Sequence, residues 1–300
     1  MIIDARTRPP YKSLDQVLAP APGVRPPVRP SPLRGQYHPI LNKGGFDPKQ
    51  AMPSMVKKSL DLYLKEMDEA GIDKGVLVSR RAGWHMMGNE DMAELRDKYP
   101  DRFPVALAGI DVNIDILVAL QEVDRYVSDM GFNGINMDPG WCVPPRYVDD
   151  KRIYPIYARC AELGCVVYLT VSLMQGPDIS YADPLPVQRV ANDFPTLKIV
   201  VVHAAFPFNN EMLGVMLANH ALGNIWALTD FFVSIPGFPG HQDWVDAANN
   251  YLGDRMIWAA SYPVRPLKQA LEDFKRLSFN PDLLDNLLAK NVADLFAIKI

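Results

Sequence analysis

The chain alternates short, nearly continuous apolar runs with longer segments of helical periodicity. The runs begin near Met1, Gly75, Pro104, Gly134, Val166, Lys198, Ile225 and Met256. Buried parallel strands have this composition because both of their faces are covered. After the long first interval, successive starts lie about 27 to 32 residues apart, enough for one strand, one loop and one helix. The pattern predicts an α/β fold, a (β/α)8 TIM barrel, with its active site where the carboxyl ends of the strands meet. We call that end the barrel mouth.

Apolar residues recur every three or four positions between the strands, as in amphipathic helices. Two such stripes are Leu117, Leu120, Val123, Val127 and Met130, and Ile153, Ile156, Tyr157, Cys160 and Leu163. Gly131 and Gly164 follow them, and we expect both glycines to end the helices in the left-handed conformation. The same reasoning predicts single helices over residues 54–70 and 281–296.

The first interval, about 74 residues long, does not fit the repeat. It contains nine prolines within residues 1–40, which exclude regular helix or central strand from most of it. A linker would separate two domains, but a single strand precedes this segment. We therefore interpret residues 9–52 as a lid or an intersubunit arm within one domain spanning 1–300, and we expect a homo-oligomer.

Composition excludes several classes of partner. The net charge of −4 shows no basic excess, which argues against nucleic acid. No apolar stretch reaches the roughly 18 residues that span a membrane, and no signal peptide is apparent, so we expect a cytoplasmic protein. Cys142, Cys160 and Cys165 are odd in number and lack CxxC spacing, which indicates buried, reduced thiols.

Charged side chains follow several of the predicted strands. Arg6 and Arg8 are spaced i, i+2 on the first strand, so both leave the same face and favour an anion. Asp138 ends the fourth strand, His203 the sixth and Asp230 the seventh. Histidine exchanges protons near neutrality and a carboxylate can orient it or act as a base, so these three are candidate catalytic residues.

Four short sequence motifs, taken in their order along the chain, resemble those of a known family. Gly71-Ile-Asp-Lys-Gly, Tyr99-Pro-Asp-Arg-Phe, Gly131-Phe-Asn-Gly and Asp193-Phe-Pro precede strands two, three, four and six, and Asn291-Val-Ala-Asp-Leu-Phe closes the chain. The set is similar to the amidohydrolase superfamily, in particular its amidohydrolase-2 branch, which includes the aminocarboxymuconate-semialdehyde decarboxylases and related hydrolases. The resemblance covers nearly the whole chain outside 9–52 and implies a TIM barrel.

The resemblance also implies a metal site, and this sequence departs from it. The family's first strand reads Asp-Ala-His-x-His, where this chain has Arg6 and Arg8; Thr170 stands where the fifth strand normally ends in His, and Ser261 where the eighth carries Asp. Of these positions, only His203 stands as the family has it. Guanidinium has no lone pair to offer a metal. We therefore expect no metal and no cofactor.

Other residues near the predicted mouth are candidate substrate contacts. Trp84, His85, Trp141 and Tyr262 follow or end strands two, four and eight, where an aromatic ring walls a pocket or simply packs. Together with Arg6, Arg8, Thr170 and Ser261 they form the predicted substrate-binding set. The simpler alternative for the arginines is a buried ionic network with Asp138 and Asp230.

Two functions are consistent with these residues. The first is a metal-independent enzyme acting on a small carboxylate-bearing substrate, as a lactonase-like hydrolase or a decarboxylase, with Arg6 and Arg8 as an anion clamp. The second is a non-catalytic homologue that serves as an oligomer subunit or as the partner of a metal-bearing paralogue. Chemically different polar side chains are kept together at one barrel mouth, and this favours the enzyme hypothesis.

Overall fold

Eight parallel strands form one sheet, in chain order, in a computed structural model that describes residues 1–12, 52–82, 87–172 and 175–300. The last strand lies beside the first, which gives a nearly closed barrel. The strands are β1 Ile3–Thr7, β2 Lys74–Val78, β3 Val105–Gly109, β4 Gly134–Met137, β5 Val166–Thr170, β6 Lys198–Val202, β7 Ile225–Thr229 and β8 Met256–Trp258.

Helices connect the strands on the outside of the barrel. In the described residues they are α1 Pro53–Lys57, α2 Leu60–Ala70, α3 Asn89–Lys98, α4 Ile116–Val123, α5 Tyr154–Leu163, α6 Leu185–Asp193, α7 Asn209–Ala218, α8 Phe231–Ser234, α9 His241–Ala247, α10 Leu267–Lys275, α11 Pro281–Asp285 and α12 Asn291–Phe296. Short π-helical segments follow α4, α9 and α11. None of the helices in these ranges has both the length and the apolar character that a membrane span requires.

Strand alternation divides the core into two layers. The inner layer includes Ile3, Val78, Leu107, Tyr168 and Val202, together with Val292 and Phe296 of α12. The intervening strand residues, such as Leu77, Ala106, Leu169 and Val201, pack outward against the helices. The inner layer fills the barrel, so polar chemistry is confined to the ends of the strands.

Most sequence-based element predictions are confirmed. Every strand begins within two residues of its predicted start. Gly131 and Gly164 have φ of +69° and +65° and end their helical segments as expected. Cys142, Cys160 and Cys165 are buried and free.

Three helix predictions are wrong in detail. The helix expected over 54–70 is broken at Lys58, whose φ is +51°, and Ser59 caps α2 by accepting from Leu62 N. Leu117 is 66% exposed because α4 buries its Ala119 and Val123 face instead. The segment 281–296 is helical but passes through a π-helical stretch between α11 and α12.

The proline-rich segment lies almost wholly outside the described residues. At its start, the Tyr11 hydroxyl donates to Glu94 on α3, and Lys12 pairs with the same carboxylate. At its end, Met52 is buried. The role of 9–52 as a lid or arm stays a prediction.

A buried carboxylate links the first strand to the last. Asp4 Oδ1 accepts backbone N–H groups of Ala260 at 3.0 Å and Arg6 at 3.2 Å, while Asp4 is fully buried. Burial raises the Asp4 pKa to about 7 despite these two hydrogen bonds. Asp4 therefore holds the β8–β1 side of the barrel best as a neutral acid.

The raised pKa of Asp4 predicts how the free energy of unfolding depends on pH. A carboxyl whose pKa is higher in the folded than in the unfolded protein contributes stability that is complete below pH 3.8 and is lost as the pH rises through about 7. Asn keeps the accepting oxygen without titrating. We expect the stability of Asp4→Asn relative to wild type to increase between pH 4 and pH 7.5 by about 2 to 4 kcal/mol, measured by urea unfolding. A pH-independent difference would contradict the assignment.

Candidate functional site

A register shift in β1 sets the position of the two arginines. The pairing with β2 shifts between Asp4 and Thr7, as in a β-bulge. Thr7 turns outward, where its hydroxyl lies 2.6 Å from that of Tyr63 on α2. Arg6 and Arg8 are both buried near Asp138 and Asp230, as their spacing predicts.

The Asp138 carboxylate accepts four hydrogen bonds at the mouth. Two of them come from Arg80, which was not among the residues predicted from the sequence. Arg80 donates through Nε to Asp138 Oδ2 at 3.0 Å and through Nη2 to Oδ1 at 2.6 Å. Asn136 Nδ2 donates to Oδ2 at 2.9 Å, and the Thr170 hydroxyl donates to Oδ1. Four donors occupy the acceptor sites of this buried carboxylate.

The local backbone fixes Arg80 in place. Val76, Val78 and Arg80 alternate on the inner face of β2 and its extension, and Arg80 N and O both pair with Met87 at 3.3 Å. A Cβ at Gly109 of β3 would lie 2.9 Å from Arg80 N and Cα. Glycine there allows the two backbones to approach.

A second carboxylate, Asp230, contacts three further polar side chains of the mouth. His203 Nδ1 lies 2.5 Å from Asp230 Oδ2, the Ser261 hydroxyl donates to the same oxygen at 2.7 Å, and Arg6 Nη1 is 3.6 Å from it. Asp230 is fully buried. One carboxylate thus orients an imidazole, a hydroxyl and a guanidinium.

The two residues that contact Asp230 from β6 and β8 have unusual backbones. His203, Ala204 and Ala205 have φ of +67°, +50° and +56°, and Ser261 has φ of +61°. Such conformations cost non-glycine residues about 1 kcal/mol or more each, and they cluster at functional sites. The strain sets the directions in which His203 and Ser261 project from their strands.

Electrostatics differ between the two halves. Burial lowers the His203 pKa below its ordinary value, opposed by the nearby Asp230, so the imidazole is neutral near pH 7. Burial alone raises the pKa of Asp138, but the charge and hydrogen bonds of Arg80 outweigh it and hold that pKa below 3.8. Asp138 is therefore a permanent anion, whereas His203 is available as a base.

Arg8 differs from the other guanidiniums. Arg6 faces Asp230 and Arg80 faces Asp138, but Arg8 forms no ion pair with any residue in the described ranges. Its Nε and Nη2 are buried without a hydrogen-bond partner. Burial, followed by repulsion from Arg6 and Arg80, lowers its pKa well below the usual value.

The structure brings together most of the residues predicted from the sequence. Arg6, Arg8, Asp138, Thr170, His203, Asp230 and Ser261 meet at the mouth. The ionic network expected as the simpler alternative forms for Arg6 and Asp230, but Asp138 pairs with Arg80 and leaves Arg8 out. The alternation Val76, Val78, Arg80 was the signal that would have identified Arg80.

Tyr262 and Trp141, two of the four candidate substrate contacts, pack in the outer core. The Tyr262 hydroxyl lies 2.5 Å from that of Ser54, and its ring packs on Tyr63 in the layer between barrel and helices. Trp141 lies in a short 3-10 turn after β4 and packs on the outer core. Trp84 and His85 lie outside the described residues. Their role as substrate contacts stays a prediction.

Known proteins resemble this chain in sequence and in fold. The amidohydrolase family model matches residues 3–298. An uncharacterized TIM-barrel protein from Bordetella bronchiseptica is 33% identical, with a TM-score of 0.81, over 99% of this chain and 98% of that one. A 2-keto-4-carboxy-3-hexenedioate hydratase from Sphingobium is 27% identical over 203 residues, 59% of each protein. The match thus spans less than two thirds of the hydratase.

A dihydroxybenzoic acid decarboxylase from Polaromonas, solved with bound manganese, has the same fold. It is 19% identical, with a TM-score of 0.61, over 86% of this chain and 92% of that one. The donors of this mouth do not fit such a metal. Among the described residues, no group of three or more His, Cys, Asp or Glu side chains is arranged to hold an ion. Arg6 and Arg8 carry positive charge, and the Thr170 and Ser261 hydroxyls already donate to carboxylates.

The Arg80–Asp138 pair generates a stability prediction. Arg80→Met leaves a buried carboxylate uncompensated, so we expect the free energy of unfolding to fall by about 3–5 kcal/mol, measured by urea denaturation. The matched control is Arg81→Met, since Arg81 is 42% exposed and its Glu122 partner lies 3.7 Å away. That exposed pair contributes about 0–1 kcal/mol. Equal losses in the two variants would contradict the proposed role of Arg80.

Proposed function

Because the chain belongs to the amidohydrolase family, we propose that it is a metal-independent enzyme that uses His203 and Asp230 to move a proton on a small organic acid. The reaction we assign is hydrolysis of a lactone or related ester. The observation that carries the proposal is the 2.5 Å contact between His203 Nδ1 and Asp230 Oδ2. It is supported by the strained backbone at His203 and Ser261 on either side of Asp230.

His203 acts as the general base. With Nδ1 held by Asp230, the second ring nitrogen, Nε2, accepts a proton from the attacking water. The Asp230 carboxylate, 2.5 Å from Nδ1, stabilises the imidazolium that forms. The proton then passes from His203 to the leaving oxygen.

Arginine charge supplies the electrostatic part of catalysis. Arg6 is buried, and its Nη1 lies 3.6 Å from Asp230 Oδ2. Guanidinium groups fixed in a buried mouth stabilise negative charge developing on a carbonyl oxygen more strongly than they would in water. They perform without a metal the polarisation for which a Lewis acid is used elsewhere.

For Asp138 we propose a role other than the catalytic one expected from the sequence. Four hydrogen bonds saturate its carboxylate, and the charge and hydrogen bonds of Arg80 hold its pKa low. A carboxylate in that state is a weak proton acceptor. We assign Asp138 to positioning Arg80 and Thr170, and we keep His203 and Asp230 as the proton-moving pair.

The competing hypothesis is the non-catalytic homologue. It is favoured by the extent of internal pairing, since Thr170 donates to Asp138 and Ser261 donates to Asp230 within the protein. A purely structural network would not need the backbone strain at His203 and Ser261. The two hypotheses differ in whether His203 has a measurable effect on turnover.

The direct test is a hydrolysis screen of small lactones and aryl esters that carry a carboxylate. For a substrate that wild type turns over, we expect His203→Gln to reduce kcat/KM by about 10²–10⁴-fold. His220→Gln is the matched control. His220 is exposed and lies between α7 and the start of β7, at the end of the barrel opposite the mouth. The enzyme proposal fails if no substrate is turned over, or if both variants retain wild-type rates.

The His203 environment also fixes the direction of pH dependence. A base is active when deprotonated, so kcat/KM should fall as the pH is lowered through the His203 pKa. Because burial lowers that pKa, the acid limb should lie below the ordinary histidine value of 6.5. Asp230→Asn removes a charge that raises the His203 pKa and should shift the limb lower still. An acid limb above 6.5, or an upward shift in the variant, would contradict His203 as the base.

A further inference from the structure

The strongest unexplained feature of the mouth is the unpartnered edge of Arg8. The side chain is 2% exposed, and both Nε and Nη2 are buried without a hydrogen-bond partner among the described residues. A buried polar donor without a hydrogen-bond partner is costly, and it is more so when the donor belongs to a guanidinium. Such a group persists where a ligand supplies the missing acceptor.

Arg80 shows how a guanidinium in this mouth binds a carboxylate. It uses Nε and Nη2 together, one to each oxygen of Asp138. The corresponding Nε and Nη2 atoms of Arg8 have no hydrogen-bond partner in the described part of the chain. The two nitrogens form one planar edge whose spacing matches the two oxygens of a carboxylate. Arg8 therefore presents a preformed bidentate carboxylate site.

The charges at the mouth limit the ligand to one negative charge. Arg6, Arg8 and Arg80 supply three positive charges, and the carboxylates facing Arg6 and Arg80 are Asp230 and Asp138. Asp4 binds backbone N–H groups instead and has a pKa of about 7. A single carboxylate would neutralise Arg8, whereas a phosphate dianion would overcompensate it.

We propose that Arg8 is the receptor for one carboxylate of the substrate, bound through Nε and Nη2, and that Arg6 and Arg80 do not contact that carboxylate. The proposal rests on the proposed function only in calling the bound acid a substrate. It narrows the substrate class to acids with one carboxylate beside the reacting bond. The bound group is held and does not itself react.

Thermal shift with defined probes tests this site. We expect acetate and benzoate to raise the Tm of wild type, and acetamide and benzamide to do so far less, because ligand that binds the folded state stabilises it. Arg8→Met should weaken benzoate binding, measured by calorimetry, by at least about tenfold, the scale of a charge-assisted hydrogen bond. Arg8→Lys keeps the charge but not the planar edge, so it should recover little of the loss.

Stability without ligand provides a second readout. Because Nε and Nη2 of the buried Arg8 have no partner among the described residues, Arg8→Met should leave the Tm of the ligand-free protein unchanged or raise it. Arg6→Met should lower the Tm, because it removes the cation that lies 3.6 Å from the buried Asp230. A loss of Tm in ligand-free Arg8→Met would show that a protein carboxylate already pairs with Arg8. That result would overturn the proposal.

Two other results would also overturn it: benzoate binding that is retained in Arg8→Met, or inorganic phosphate and sulfate raising the Tm more than the carboxylates do. The experiment is independent of turnover. His220→Gln should keep the full response to benzoate. A response to benzoate without turnover of any ester would leave the Arg8 site standing while the acid–base mechanism fails, and turnover without a response to benzoate would do the reverse.

Discussion

The burial of three guanidinium groups at one end of a barrel is the constraint on which the rest of the mouth depends. A charge removed from water is stable only with a counter-ion and hydrogen bonds. Asp138 meets this need for Arg80 through two hydrogen bonds, and Asp230 lies 3.6 Å from Arg6. The strained backbones of His203 and Ser261 direct further polar groups to Asp230. Arg8 is the guanidinium that we propose binds a ligand.

This network occupies the positions at which the family resemblance implies metal ligands. Three of the four changed positions, Arg6, Thr170 and Ser261, contact Asp138 or Asp230. Arg6 and Arg8 bring positive charge, Thr170 donates to Asp138, and Ser261 donates to Asp230. A mouth that carries its own fixed cations has the electrostatic means to polarise a substrate.

The fold was largely predictable from the sequence, and the pairing within the site was not. Apolar runs with regular spacing located every strand within two residues, because burial on both faces constrains their composition. Strand ends then indicated which side chains meet at the mouth. Arg80 was missed because residues 79–81 follow the strand and read as loop, although alternation from Val76 and Val78 places Arg80 inward. Helix breaks at Lys58 and after α4 depend on packing that a single stripe does not encode.

The central claim is that fixed ion pairs stand in place of a metal. Elemental analysis of the purified protein, after incubation with zinc, manganese and iron(II) salts and gel filtration, tests it most directly. The account predicts far less than one ion per chain, with no difference between wild type and His203→Ala. Close to one ion per chain in wild type, lost in His203→Ala, would contradict it.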